Sequence, residues 1–90
     1  MKIIGIEKQT FLNQKGEEVA FYKTYLLTSP ANLGGFVAYS YNCPKMLLDN
    51  ALKSINGTDY KQLVNKEVEI NYYFDKEKRS SKITVLNVIK

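Results

Sequence analysis

The stretch of sequence that decides the fold is LVNKEVEINYYF, at residues 63–74. Asn65-Lys66 is typical of a tight turn, and strict alternation of apolar and polar side chains follows it. A period of two residues predicts a β-strand over residues 67–74, with one face toward a core and Tyr73 on the other face. The side chains expected to point inward are Val68, Ile70, Tyr72 and Phe74.

The segments on either side predict a helix before this strand and a partner strand after it. Residues 75–81 are rich in charged side chains, which is typical of a hairpin loop. Residues 82–89 are predicted to form the strand that follows this loop. Pro44 favours the start of a helix, Asn56-Gly57 favours its end, and a short helical turn is expected at residues 60–64. Apolar side chains within the helix recur at i, i+3, i+4 and i+7, which gives one buried face. That stripe comprises Leu48, Ala51, Leu52 and Ile55, and the core candidates of the last strand are Ile83, Val85, Val88 and Ile89.

The N-terminal half predicts three further strands, over residues 2–9, 19–28 and 36–41. A polar turn before the second strand contains Gly16, which can adopt the positive φ of a hairpin loop. Residues 29–35 contain helix and strand breakers and are predicted to form a loop. Neither face of the second strand is cleanly polar, which is typical of a strand that curves across a barrel or carries a bulge.

Three strands, a helix and a final hairpin, in the order β-β-β-α-β-β, form the element order of the OB-fold. In that fold a helix closes one end of a small five-stranded Greek-key barrel. We therefore expect residues 1–90 to form one mainly-β, OB-fold-like domain. Closure into a barrel would remove unpaired strand edges. The competing fold is an open α+β sheet with one helix packed across it.

Composition excludes several classes of function. The 90 residues contain no His, no Trp and one Cys, so Cys/His zinc sites, His-based catalytic triads and internal disulfides are impossible. No cluster of catalytic groups stands out, and we expect a non-enzymatic protein without a cofactor or metal. The apolar run before Glu7 is too short for a signal peptide, and Pro, Gly and Asn residues interrupt the uncharged segment 24–44. The expected location is therefore cytoplasmic, with no membrane association.

The chemistry of the chain lies in its aromatic and basic side chains. Seven Tyr residues, mostly on predicted strands, can offer flat surfaces to nucleobases. Thirteen Lys and Arg residues exceed nine Asp and Glu residues, and this net charge of +4 favours an anionic partner. The competing interpretation is that the rings fill the core, which is the role expected for Phe21, Phe36, Tyr72 and Phe74. The candidate nucleic-acid-binding residues are Tyr22, Lys23, Tyr25, Tyr39, Tyr41, Tyr73, Lys78, Arg79 and Lys82.

The chain resembles the small OB-fold single-stranded DNA-binding proteins of phages and mobile elements. It shares with them its size, its Tyr-rich strands, its excess of basic residues and its order of elements. The resemblance implies a role in DNA replication, with stacking and phosphate contacts that give little sequence specificity. The expected partner is single-stranded nucleic acid. Because one small domain covers few nucleotides, we also expect a homodimer, with segment 24–44 as the candidate surface. The alternative is a protein–protein adaptor or inhibitor that uses the same aromatic surface.

Overall fold

The computed structural model describes residues 1–29, 34–77 and 79–89. The predicted order of strands and helix along the chain is confirmed, and a short 3₁₀ helix (η1) forms where the helical turn is predicted before the fourth strand. The elements are β1 (Lys2–Leu12), β2 (Glu18–Thr28), β3 (Val37–Cys43), α1 (Lys45–Ser54), η1 (Tyr60–Leu63), β4 (Val68–Asp75) and β5 (Ser80–Val88).

The five strands form one sheet in the order β1-β2-β3-β5-β4. The mainly-β class with one helix is thus confirmed, but the sheet is not closed into the predicted barrel. Across the sheet the strands do not follow their β-β-β-α-β-β order along the chain, because β5 lies between β3 and β4. All neighbouring strands are antiparallel except β3 and β5, which run parallel.

The two outer strands, β1 and β4, meet only at one end. An isolated antiparallel bridge joins Lys2 to Glu67, and the Ile3 amide donates to the Lys66 carbonyl oxygen at 3.0 Å. The contact stops where β1 carries a bulge: Ile3 pairs with Leu26, Gly5 pairs with Tyr25, and Ile4 is the extra residue. A bulge bends its strand and ends regular pairing, which accounts for the open seam beyond this point.

The helix covers one face of the sheet and forms the core with it. Leu48, Ala51 and Leu52 are buried, and Ile55 packs against them, so the predicted apolar stripe is confirmed. The core face of the sheet contributes Ile3, Tyr22, Leu26, Tyr41, Cys43, Val68, Ile83 and Leu86.

The end of the helix is fixed by a close approach of the backbone at Gly57. Asn56 adopts the left-handed conformation (φ 55°), and the Gly57 amide donates to the Leu52 carbonyl oxygen at 2.9 Å. This confirms the predicted stop at Asn56-Gly57. A Cβ on Gly57 would lie 2.6 Å from Leu52 Cδ1 and 2.9 Å from Gln62 Oε1, so no larger residue fits without movement.

A second bulge changes which side chains of the last hairpin are buried. Asn71 pairs with Val85 but Tyr72 pairs with Ile83, so Thr84 is extra. The alternation of β5 therefore shifts, and Leu86 is buried where Val85 was expected. The predicted core positions that are exposed instead are Phe36, Tyr72, Phe74, Val85 and Ile89.

The loop predicted for residues 29–35 lies mostly outside the described residues, and Lys78 lies outside them entirely. Within the part of the chain that is described, no helix is long and apolar enough to cross a membrane.

The contact at Gly57 yields a stability prediction. Gly57→Ala should lower the free energy of unfolding by about 1–3 kcal/mol, because the methyl group overpacks the side chain of a core leucine. Urea denaturation measures this difference. The matched control is Gly35→Ala, since a Cβ there meets no atom within 4 Å. Equal stability of the two variants would contradict the described packing.

Candidate nucleic-acid interface

A row of side chains crosses four neighbouring strands on the face of the sheet away from the helix. Lys23 pairs with Asn42, Asn42 pairs with Lys82, and Lys82 pairs with Tyr73. Directly paired residues point to the same face, about 4.8 Å apart for each strand crossed. The backbones of Lys23 and Lys82 are therefore about 10 Å apart, with Asn42 between them and Tyr73 one strand further.

This row lies in a groove of about 830 Å³ between the β1–β2 hairpin and the β4–β5 hairpin. Phe21 lies two residues before Lys23 and so shares its face. The ring centroid of Phe21 is 5.8 Å from that of Phe11, which also lines the groove. The groove thus offers aromatic surface on both hairpins. Its charged and aromatic lining includes Phe21, Lys23, Tyr73, Arg79 and Lys82.

The groove carries an excess of positive charge. Among its described lining residues, three cations (Lys23, Arg79 and Lys82) face one carboxylate, Asp75. Within residues 1–29, 34–77 and 79–89, none of the three cations forms an ion pair. The Lys23 ammonium lies 5.7 Å from the ring centroid of Tyr25. These cations therefore remain available to an anionic ligand.

Arg79 reaches the groove from an unusual backbone conformation. Its φ of 50° places it in the left-handed region, as for Asn56 and Asn65. Asn tolerates this region well, whereas a bulky side chain there costs about 1–2 kcal/mol relative to the right-handed conformation. The turn at the end of β4 thus holds a guanidinium group at the groove at the expense of backbone strain.

Two of the predicted binding residues are part of the core. Tyr22 is 8% exposed and Tyr41 is 5% exposed, so their assignment to a nucleic-acid surface is wrong. Tyr22 packs edge-on against the ring of Tyr60 at 5.1 Å between centroids. The Tyr60 hydroxyl in turn donates to Asp49 of the helix, which anchors this pair of rings. Burial, followed by the neighbouring Tyr72, raises the pKa of Tyr41.

The other two tyrosines of β2 and β3 point to opposite faces. Tyr25 pairs with Ser40 on the groove face and is half-buried, whereas Tyr39 pairs with the buried Leu26 on the core face. The candidate binding residues Tyr25 and Tyr39 therefore do not share one face of the sheet. Of the nine predicted residues, the structure brings four together in the groove: Lys23, Tyr73, Arg79 and Lys82.

Sequence reasoning missed several groove residues, among them Phe11, Phe21 and Asn42. Phe21 is predicted to be part of the core because aromatic side chains commonly fill small β-barrels. The available signal is the spacing of Phe21, Lys23 and Tyr25, since residues two apart on a strand share a face and a cation between rings favours the solvent side. Asn42 gave no such signal, because its place in the row depends on the pairing of β3 with β5.

Comparison with known proteins does not identify the chain: no protein-family model, no curated protein and no solved structure matches it. Among the residues that the structure describes, no three Cys, Asp or Glu side chains converge to hold a metal ion.

The buried Cys43 beside the groove yields a prediction on thiol reactivity. Burial raises the pKa of the Cys43 thiol to about 12, and the neighbouring Thr24 side chain opposes this only in part. The thiolate is the reactive form, so the folded protein should react far more slowly with a disulfide reagent at pH 8 than the chain in urea. Equal rates in the two conditions would contradict burial of this thiol.

Proposed function

We propose that the chain binds single-stranded nucleic acid in this groove and carries out no catalysis. The observation that carries the proposal is the row of Lys23, Asn42, Lys82 and Tyr73, with Phe21 beside it and Arg79 at the hairpin. The cations would neutralise phosphates along the strand, and the rings of Phe21 and Tyr73 would stack on bases.

The arrangement favours unpaired bases over a duplex. Stacking on a protein ring requires a base face that duplex DNA keeps covered. Among the described residues that line the groove, Pro44 precedes α1 and the others lie in strands or in the two hairpins, so no helix on this face could enter a major groove. The aromatic surfaces carry no sequence information, which supports binding with little sequence preference.

We also propose that the fold is an open relative of the OB barrel. The strand order and the parallel contact of β3 with β5 support this, as does the helix between β3 and β4. The hydrogen bonds between the start of β1 and the entry to β4 form the beginning of the seam that a closed barrel would complete. In OB-folds, the face of the second and third strands, together with the hairpin loops, binds oligonucleotides.

The proposal predicts salt-dependent binding of a short oligo-dT strand, measured by fluorescence anisotropy of the labelled strand. Three phosphate contacts correspond to a slope of about −2 in log K against log[salt] for a single strand. The double substitution Lys23→Gln and Lys82→Gln should remove two of these contacts and make the slope less steep by about 1.4. Lys8→Gln is the matched control, because Lys8 is exposed but pairs with Tyr22 on the other face.

A tyrosine pair tests stacking in the same assay. Tyr73 in the groove is 48% exposed and Tyr39 on the core face is 44% exposed. Tyr73→Leu should weaken binding about 5- to 150-fold, the effect of losing about 1–3 kcal/mol of stacking. Tyr39→Leu should leave the affinity for a short strand within about twofold. An unchanged affinity of Tyr73→Leu would refute stacking in the groove.

If the chain does not bind oligo-dT at any salt concentration, the proposal as a whole is contradicted. Capture of a protein partner that survives nuclease treatment would then favour the adaptor interpretation.

Arg79 offers a test in which stability and binding move in opposite directions. Arg79→Gly should raise the free energy of unfolding by about 0.5–1 kcal/mol, because glycine adopts the left-handed conformation without steric cost. The same change should weaken oligo-dT binding several-fold through loss of the guanidinium. Thermal denaturation and anisotropy measure the two effects. A variant that is stabilised but binds normally would show that Arg79 does not contact the ligand.

A further inference from the structure

Three tyrosines form a cluster on the core face of the sheet, opposite the groove. The ring centroid of Tyr41 lies 4.9 Å from that of Tyr72 and 6.4 Å from that of Tyr39. Tyr41 is buried, but Tyr39 and Tyr72 remain 44% and 52% exposed. We call these three residues the tyrosine cluster. It presents two half-exposed rings on the core face of the sheet, beside the buried Leu26 and Ile83 with which Tyr39 and Tyr72 pair.

The exposure of the tyrosine cluster follows from the open sheet. Tyr72 pairs with the fully buried Ile83, so its strand position belongs to the core face. The helix buries its apolar stripe elsewhere on that face, and among the described residues the backbone hydrogen bonds between the N-terminus and β4 end at Val68. The tyrosine cluster borders a hollow of about 280 Å³, and none of its described lining residues has a charged side chain; the remaining lining residues are Met1, Ser40 and Ser81.

The total surface indicates that a sizeable area is left uncovered. The accessible surface is 6447 Å², whereas a compact monomer of 10.3 kDa exposes about 5400 Å². The excess of about 1000 Å² belongs to the whole chain, and it is at least as large as the roughly 800 Å² that each partner contributes to a standard-sized interface. The molecule measures 45 × 33 × 17 Å, and this thin shape is a second sign that the sheet leaves much of its surface uncovered.

Charge decides which partner fits the tyrosine cluster. In a two-fold dimer the same patch of each copy contacts the other copy, so a cation in that patch lies opposite the equivalent cation of the second copy. The groove, with its three cations, would repel itself. The described residues that line the hollow at the tyrosine cluster have no charged side chain, and the Met1 ammonium at its edge is 3.6 Å from the Glu67 carboxylate. A chain of net charge +4 can therefore associate with itself through this patch more favourably than through its groove.

We propose that a second copy of the chain docks on the tyrosine cluster about a two-fold axis. Tyr39 and Tyr72 of each copy supply the aromatic centre of the interface, in keeping with the enrichment of Tyr at such centres. Ser40 and Ser81 line both the hollow and the groove, but Lys23, Lys82 and Tyr73 point to the other face of the sheet, so the dimer leaves these binding residues accessible. The inference goes beyond the proposed nucleic-acid binding and does not depend on it.

Sedimentation velocity over a concentration series tests the dimer. The wild-type chain should shift toward twice its 10.3 kDa mass as concentration rises. Tyr72→Glu should weaken self-association at least about 100-fold, because it places an unpaired carboxylate opposite its own copy. Tyr39→Glu should do the same without altering the closer Tyr41–Tyr72 contact, and circular dichroism verifies that both variants are folded.

The matched control is Tyr73→Glu, on the neighbouring residue with 48% exposure and the opposite orientation. It should still dimerise while losing oligo-dT binding, whereas Tyr72→Glu and Tyr39→Glu should lose the dimer and keep binding of a short strand. A wild-type chain that stays monomeric at high concentration would overturn the proposed dimer. A dimer unaffected in folded Tyr39→Glu would also overturn it. Neither result bears on the groove, which the oligo-dT assay tests separately.

Discussion

The pairing of β3 with β5 at Asn42 and Lys82 is the contact on which the rest of the structure depends. It joins the β1-β2-β3 meander to the β4–β5 hairpin, and within the described residues it is the one ladder pair between them. A slip of one residue would turn Lys82 toward the core and Ile83 toward solvent, because side chains alternate along a strand. Burial of Ile83 with Cys43 under the helix stabilises the observed register. The groove exists because this register brings cations from both halves to one face.

Alternation along the strands also gives the two sides of the sheet different chemistry. Tyr73 lies beside Lys82 and faces the groove, while the adjacent Tyr72 lies beside Ile83 and packs on Tyr41. A ring next to a cation suits stacking on a base of an anionic strand. A ring next to buried apolar residues suits contact with another uncharged surface. Neighbouring tyrosines in one strand thereby support two separate proposals.

Local features of the fold could be predicted from the sequence, because they depend on short-range rules. The helix stripe from Leu48 to Ile55 and the turns at Asn56 and Asn65 follow from periodicity and backbone preference. The faces of β2 could not be assigned, since rings occur on both sides and remove the polar contrast that alternation requires. Nothing in the amino-acid composition indicates the bulges at Ile4 and Thr84. These bulges nevertheless determine where the seam between β1 and β4 opens and why Val85 is exposed. The four-residue row depends on a long-range pairing that no local pattern encodes.

The most direct test of the account is a nuclear magnetic resonance titration of the isotope-labelled chain with a short oligo-dT strand. Binding in the groove predicts that the largest shifts in amide signals fall on Lys23, Asn42, Tyr73 and Lys82, across four strands at once. Signals of the helix should change little, because it packs on the other face. Shifts confined to Tyr39 and its neighbours on the core face, or no shifts at saturating strand concentration, would contradict the account.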